Sequence, residues 1–327
     1  MNAGSIIDPR LNRQERRVWE FVSQWPLRSL WNLQGFNARK LGTRIWSSIV
    51  ADRIFGHSAE LGFYFLFALF PTLLSASSIL GLAARSAHQI YAHLLDYLAL
   101  VLPTAALGTV LHTFNETTAA ATSGKITFGL IAAIWSASVG ISAIQDTLNA
   151  VYKIQESRSY IRARIYAIGL TILLTLIFSL CLSCMLGGDF LAALAHHRLH
   201  DEIIALAVAC CARVVGWILA TALLALAFAV VYYWAPDLRR RRWHWITPGG
   251  TLGIVGWLLA SLGLRLYLHF FNSYSVTYGS LGAVIILLTW FYMTGLMLLA
   301  GAEINSEIEA AAAEQKVVAV TPSTPVE

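Results

Sequence analysis

The chain has 327 residues, of which 57% are hydrophobic and only 13% are charged. A soluble globular domain carries about 25% charged residues, so this composition excludes a wholly soluble protein and indicates that lipid surrounds part of the chain. The formal net charge is +5, and its distribution along the chain tells more than its total.

Six segments are long and apolar enough to cross a membrane, since a spanning helix needs roughly 20 mostly apolar residues. In chain order they are residues 61–84, 126–150, 165–186, 203–234, 246–268 and 279–302. Backbone groups in lipid have no water partner, so each segment must be helical. The sequence therefore predicts an all-α, polytopic membrane protein whose core is a bundle of six transmembrane helices.

Two other regions have the pattern of helices that lie on a membrane surface. Residues 39–55 place apolar side chains on one face and basic ones around it, which predicts an interfacial amphipathic helix. Residues 90–111 are apolar but contain Asp96 and Pro103, and we interpret them as two interfacial helices rather than a seventh span.

Basic residues concentrate in alternate connections: the N-terminal region, residues 151–164, residues 235–245 and the C-terminal tail. Short cytoplasmic loops carry an excess of Lys and Arg, so both termini are predicted to be cytoplasmic. Residues 306–327 contain two prolines and no helical apolar stripe, which predicts a disordered tail. The predicted divisions are a basic cytoplasmic region over 1–58, the membrane domain over 59–305, and this cytoplasmic tail.

Six basic residues near the predicted inner surface are candidates for contact with anionic lipid headgroups. They are Lys40, Arg44, Arg239, Arg240, Arg241 and Arg242. The run of four arginines could also bind nucleic acid, but its position at the end of a span favours lipid contact and topology setting. We therefore expect membrane lipids as partners and no nucleic acid.

Ionisable or polar groups inside spans are costly and are the candidates for a substrate pathway. Arg213 lies about ten residues into the fourth span, where it could face the bundle interior, a water-filled cavity or a lipid phosphate, or only a structural partner. The remaining candidates are Gln145, Asp146 and Asn149 at the end of the second span, Glu60 and Glu303 at the ends of the first and sixth, and Pro71 as a kink. The alternative is interhelical hydrogen bonding for the three second-span residues, a favourable position at a helix N-terminus for Glu60, and simple packing for Pro71.

Motifs for hydrolytic, phosphate-binding or zinc chemistry are absent from the sequence. We therefore predict a protein that is not an enzyme and has no catalytic residue, cofactor or metal. His196 and His197 could bind a metal, but a solvated turn is the preferred interpretation.

Four stretches resemble the YihY/virulence factor BrkB family of bacterial inner-membrane proteins. They are LGFYFLFALFP at 61–71, IQDTLNAVY at 144–152, YWAP at 233–236 leading to Pro248-Gly-Gly, and YGSLG at 278–282 closing with GAEIN at 301–305. The resemblance covers about residues 55–310. Phe63, Ala68 and Asp146 depart from the family's usual residues, so it lends no support to a role for Asp146.

The resemblance implies a multi-pass protein of the bacterial inner (plasma) membrane with a link to envelope integrity. Some relatives are connected with lipid or lipopolysaccharide export, and an older ribonuclease label is regarded as mistaken. The leading hypothesis is a transporter-like protein that handles an envelope lipid or another amphipathic substrate. A non-transporting scaffold, with envelope proteins or further copies of the chain as partners, is the alternative, and a membrane-associated ribonuclease is a remote third.

Overall fold

The computed structural model describes residues 7–24, 27, 30–31, 37–82, 123–198, 202–270 and 280–320. Within these residues the protein is all-helical, with eight helices and no strand. In chain order they are α1 (Arg13–Gln24), α2 (Ala38–Ala51), α3 (Ile54–Leu82), α4 (Ser123–Val151), α5 (Tyr160–Arg198), α6 (Glu202–Trp234), α7 (Pro248–Phe270) and α8 (Ser280–Val320). The fold class predicted from composition is confirmed.

Five helices in the described ranges are long and apolar enough to cross a membrane. The apolar stretches are Leu130–Val151, Tyr160–Met185, Ile203–Trp234, Pro248–Phe270 and Leu281–Lys316. They confirm the predicted second to sixth segments as helices. The described apolar part of α3, Ile54–Leu69, is shorter. The count of six spans and the cytoplasmic termini therefore stay predictions.

Large apolar side chains cover the outside of this bundle. Leu176, Trp217 and Leu259, from three different helices, each expose more than half of their surface. A protein surrounded by water rarely exposes contiguous apolar surface on this scale. The exposed faces of α5, α6 and α7 are thus suited to lipid contact.

Small residues allow the helices to approach closely. A Cβ atom on Gly216 of α6 would lie 2.9 Å from the Cys184 carbonyl oxygen of α5, and one on Gly301 of α8 would lie 2.5 Å from the Gly249 carbonyl oxygen of α7. Close backbone approach at glycine is a common way for membrane helices to associate. The α5–α6 and α7–α8 pairs are packed in this way.

Helices α2 and α3 are separated by a sharp turn. Asn37 caps α2, accepting a hydrogen bond from the Arg39 amide, and α2 ends at Ala51. Arg53 then adopts a φ of 53°, in the left-handed region, and α3 starts at Ile54. The helix predicted over 39–55 is therefore present but shorter, because the chain turns at 52–53. The helices predicted over 90–111 fall outside the described residues.

The N-terminal segment packs on the membrane domain through a helix that the sequence did not predict. Asn12 and Glu15 form reciprocal side-chain-to-backbone hydrogen bonds of 2.8 and 3.1 Å at the start of α1, an arrangement that satisfies free amides at a helix start. Ile7 pairs with Ile154 in an isolated bridge. Trp19 lies in the same hydrophobic core as Leu298.

The prediction of a disordered tail from residue 306 is wrong for residues 306–320. Helix α8 runs on to Val320. Ala310 and Ala313 belong to the hydrophobic core, and Glu307 forms an ion pair with Arg44 of α2. The acidic, alanine-rich sequence lacked a strong apolar stripe, but small residues and a long-range ion pair are enough to hold this helix in place. Residues 321–327 lie outside the described part.

Candidate functional site

Arg213 lies on an outward-facing groove along α6. Its side chain is exposed, and it lines a groove of about 750 Å³. Most of the other lining side chains are apolar, among them Leu206, Val214, Trp217, Ile218 and Ile246. The sequence did not determine what surrounds Arg213. In the structure, Arg213 lies on an open apolar groove at the outside of the described bundle.

The groove is long as well as apolar. It follows α6 from Leu206 to Ala225, a distance of about 29 Å at 1.5 Å per helical residue. Ile246, which precedes α7, also lines it. Arg213 lies about 10 Å from the Leu206 end of the groove and brings a fixed positive charge to it.

The polar patch predicted at the end of the second span is divided between two faces of α4. Gln145 and Asn149 are buried, one helical turn apart, whereas Asp146 is exposed. Glu60 of α3 is also exposed and lies close enough to Asp146 to act on it electrostatically. The Nε2 atom of Gln145 is buried without a hydrogen-bond partner. The three α4 residues therefore do not form a single site.

Asn149 belongs to a different group, which we name the paired cluster: Asn149, Glu156, Ser157, Arg158 and Asp237. Asn149 donates to Glu156 at 2.9 Å and accepts from the Asp237 amide at 2.8 Å. Arg158 donates two hydrogen bonds of 2.6 Å to Glu156 and lies 3.6 Å from Asp237. The Ser157 amide and hydroxyl both donate to Asp237. These bonds join the end of α4 to the segment that follows α6.

Opposing effects act on the ionisation of Asp237. Burial by itself would raise the pKa of this carboxyl group, but hydrogen bonds from Ser157 and the positive charge of Arg158 lower the pKa below the ordinary value of 3.8. Burial likewise disfavours the charge of Arg158, yet Glu156 and Asp237 raise the pKa of its guanidinium group above the ordinary value. No local pattern predicts this cluster, because Asp237 contacts Ser157 across 80 positions of the chain.

Glu303 lies in a second polar group near the same ends of the helices. Its side chain is fully buried, and neither carboxyl oxygen has a hydrogen-bond partner among the described residues. The carboxyl groups of Asp52 and Glu307 and the ammonium group of Lys153 lie close enough to act on it. Lys153 forms an ion pair with Asp52. We name Asp52 and Glu303 the carboxyl pair.

The structure also locates the remaining candidates. Glu60 has His57 beside it, with 3.4 Å between Nδ1 and Oε2. Pro71 lies within α3, but its surroundings fall outside the described side chains. Lys40 is exposed, whereas Arg44 is partly buried and pairs with Glu307 and Glu314. Arg44 is thus engaged with α8, in contrast to the lipid contact expected of it.

The four consecutive arginines lie beside a group of aromatic rings. Arg239, Arg240 and Arg242 are exposed, and Arg241 lies with its guanidinium carbon 6.0 Å from the centre of the Tyr166 ring. The neighbouring rings of Tyr233, Trp234, Trp243 and Trp245 contact one another, with centroids 5.2 to 6.2 Å apart. Aromatic rings and basic residues together are typical of a membrane–water boundary.

Five long apolar helices with outward-facing apolar side chains define a helical integral membrane protein. The chain belongs to the virulence factor BrkB family, whose model matches residues 45–321. The described residues contain no group of three His, Cys, Asp or Glu side chains that could hold a metal ion.

Two relatives illustrate the range of the similarity. The putative ribonuclease-like protein YfkH of Bacillus subtilis is 31% identical over 249 residues, which cover 76% of this chain and 88% of YfkH. A UPF0761 membrane protein of Xanthomonas campestris is 24% identical over 281 residues, covering 82% of this chain but only 60% of that protein. No solved structure matches the chain.

Proposed function

We propose that the protein is a transporter-like protein of the bacterial inner membrane that handles an envelope lipid, with the groove along α6 as the lipid site. The observation that supports this function is the position of Arg213 on a long and otherwise apolar groove. Such a groove offers lipid chains an apolar surface along α6 and offers the headgroup a cation.

The spacing along α6 supports a headgroup contact. If the aromatic group around Trp234 lies at one membrane boundary, Arg213 lies 21 residues earlier, or about 31 Å away along the helix. That separation equals the thickness of the hydrocarbon core, about 30 Å. Arg213 would then meet phosphate groups at the opposite boundary, and the costly placement of an arginine in mid-membrane is avoided.

Arginine is well suited to this contact. Its planar guanidinium group can donate two parallel hydrogen bonds to a phosphate, whereas a lysine offers only a point charge. The groove volume of about 750 Å³ lies within the range of sites that hold small organic ligands, roughly 300–1,000 Å³. A phospholipid or a glycolipid with an anionic phosphate is therefore the substrate class that we propose.

The test is lipid redistribution in vesicles. The protein is reconstituted with a fluorescent anionic phospholipid, and the fraction of label that becomes accessible to an external quencher is followed over time. Loss of a charge-assisted hydrogen bond worth about 1.5–3 kcal/mol predicts a rate lower by about 10- to 100-fold for Arg213→Ala. Arg213→Lys is expected to fall between the two.

Arg265 provides the matched control. It is also an exposed arginine on an apolar helix, in α7, and it does not line the groove. Arg265→Ala is expected to leave the redistribution rate unchanged. Equal rates with and without the protein, or for wild type and Arg213→Ala, would reject lipid handling at this groove. Stoichiometric co-purification of an envelope protein that shields the groove from labelling would favour the scaffold alternative.

A further inference from the structure

The carboxyl pair lies where three parts of the chain meet. Asp52 occupies the turn between α2 and α3, Lys153 follows the end of α4, and Glu303 projects from α8. Asp52 is largely buried, with 11% of its side chain exposed, and Glu303 is completely buried. Water therefore cannot compensate an excess charge or supply a missing hydrogen bond at this position.

The hydrogen bonds of this region leave three oxygen atoms unused. In the part of the chain that the structure describes, both oxygens of Glu303 and the Oδ2 atom of Asp52 are buried without a partner, although the two side chains lie within interacting distance of each other. An ionised carboxylate can only accept hydrogen bonds, whereas a protonated one also donates. Two facing carboxylates therefore cannot satisfy each other, but one proton between them supplies the missing donor.

The neighbouring donors are already engaged. The ammonium group of Lys153 pairs with the other oxygen of Asp52. Arg44 and Ser48 both donate to Glu307. Arg44 also binds Glu314 at the half-exposed edge of the group. The structure thus gives Glu303 neighbours that act on it through charge but no neighbour that donates to it.

The charges lead to the same result. Two carboxyl groups, those of Asp52 and Glu303, lie close to one cation, Lys153, because Arg44 is engaged by Glu307 and Glu314. With every group ionised the buried set would carry one excess negative charge, and an uncompensated buried charge is strongly unfavourable. A single proton makes the set neutral. Two like-charged carboxyl groups that share a site commonly hold one proton in this way.

We propose that Asp52 and Glu303 share one proton and form a proton-binding site that connects the α2–α3 turn to α8. The site does not depend on the proposed lipid handling. Release of the proton leaves two facing carboxylates, which repel each other across the contact between the turn and the helix. Binding and release of a proton are thereby linked to the separation of these two elements.

A bound metal cation is a weaker explanation for the unused oxygens. The ammonium group of Lys153 lies beside the pair and would repel a second cation. In the described ranges no group of three acidic, histidine or cysteine side chains is assembled as a metal site. A proton needs only the two oxygens that face each other.

Infrared spectroscopy of the purified full-length protein in detergent tests the site directly, because a protonated carboxyl group has a carbonyl stretching band distinct from that of a carboxylate. At neutral pH we expect the wild-type minus Glu303→Gln difference spectrum to show one such band, shifted by transfer into D₂O. Asp52→Asn is expected to move that band, since it changes the partner of the shared proton. Glu60→Gln removes an exposed carboxyl group and serves as the control, with no protonated-carboxyl band in its difference spectrum.

Identical protonated-carboxyl bands in wild type and Glu303→Gln would overturn the proposal. So would a band that appears in wild type only after sodium and potassium are removed, because a metal cation would then occupy the pair. If Glu303→Gln does not fold, Asp52→Asn alone decides: an unmoved band refutes the shared proton. No lipid movement enters this measurement, so a negative vesicle assay together with a positive band would reject only the proposed function.

Discussion

The paired cluster and the carboxyl pair both contain buried acidic groups, but they differ in how those carboxyl groups are hydrogen-bonded. In the paired cluster, the Asp237 carboxyl group accepts two hydrogen bonds from Ser157, the Asp237 amide donates one to Asn149, and Arg158 lies beside the carboxyl group. In the carboxyl pair, Glu303 receives none. Buried polar groups are almost always hydrogen-bonded, so the second arrangement is the one that requires a ligand to complete it.

The comparison separates two uses of buried charge. A complete network fixes the ends of helices in one arrangement and becomes costly to break. A network that lacks a donor, such as the carboxyl pair, adopts an arrangement that depends on whether a ligand binds to it. One orphan in the paired cluster, the Nη1 atom of Arg158, does not change this contrast, because the same guanidinium group makes several other bonds.

Of the predicted changes in stability, the largest is expected from removal of the Arg158 side chain. Its side chain is 6% exposed, and Arg158→Ala leaves Glu156 and Asp237 without their cation, which we expect to lower the free energy of unfolding by about 3 kcal/mol. Glu303→Gln, which keeps the shape and removes the need for a proton, is expected to change it by less than about 1 kcal/mol. Denaturation in mixed micelles measures both, and Arg10→Ala, at an exposed pair, is the control with no measurable change. A Glu303→Gln loss equal to that of Arg158→Ala would contradict the distinction.

A change at Gly301 tests whether α8 is held by packing rather than by charge. A Cβ atom there would lie 2.5 Å from the Gly249 carbonyl oxygen and would also meet the Tyr232 hydroxyl group. We expect Gly301→Ala to lower the free energy of unfolding by about 2 kcal/mol through overpacking. Gly263→Ala, where nothing lies within 4 Å, should be neutral or slightly stabilising because alanine favours helix. Equal effects of the two variants would show that the α7–α8 contact tolerates separation.

The dependence of stability on pH is the smallest and most specific test. The pKa of Asp237 is lower in the folded protein than its ordinary value of 3.8, so its contribution is fully present above the ordinary value and is lost as the pH falls through the lowered one. The difference in melting temperature between wild type and Asp237→Asn should therefore be constant from neutral pH to about pH 5 and shrink at lower pH. A difference that grows on acidification would contradict the assigned direction.

Helix positions were largely predictable from hydropathy, because a membrane forces every apolar segment into one backbone conformation. The fourth span was expected over 203–234 and α6 covers Glu202–Trp234. The end of α8 was not predictable in the same way. Residues 306–320 are held by contacts of Glu307 with Arg44 and Ser48, which lie more than 250 positions earlier in the chain. Local sequence patterns do not predict contacts over such a separation.

The same distinction between local pattern and long-range packing applies to the candidate site residues. The sequence alone shows that Arg213 and Glu303 are ionisable groups within or at the end of apolar segments. The direction in which each points could not be predicted, since helix rotation depends on packing. Arg213 proved exposed on a groove and Glu303 fully buried. Asp52 and Asp237 were missed because both lie in connecting turns, where an acidic residue is ordinary.

The N-terminal helix has a practical consequence for the design of shortened proteins. The family match begins at residue 45, but Val18, Trp19 and Val22 of α1 lie in the common hydrophobic core. The Nζ atom of Lys316, near the end of α8, lies 5.8 Å from the centre of the Phe21 ring. A protein that starts at residue 45 would lack α1, and the apolar side chains that α1 covers on the last turns of α8 would be exposed. Expression trials that retain residues from Ile7 onward should accordingly yield better-behaved material than trials that follow the family boundary.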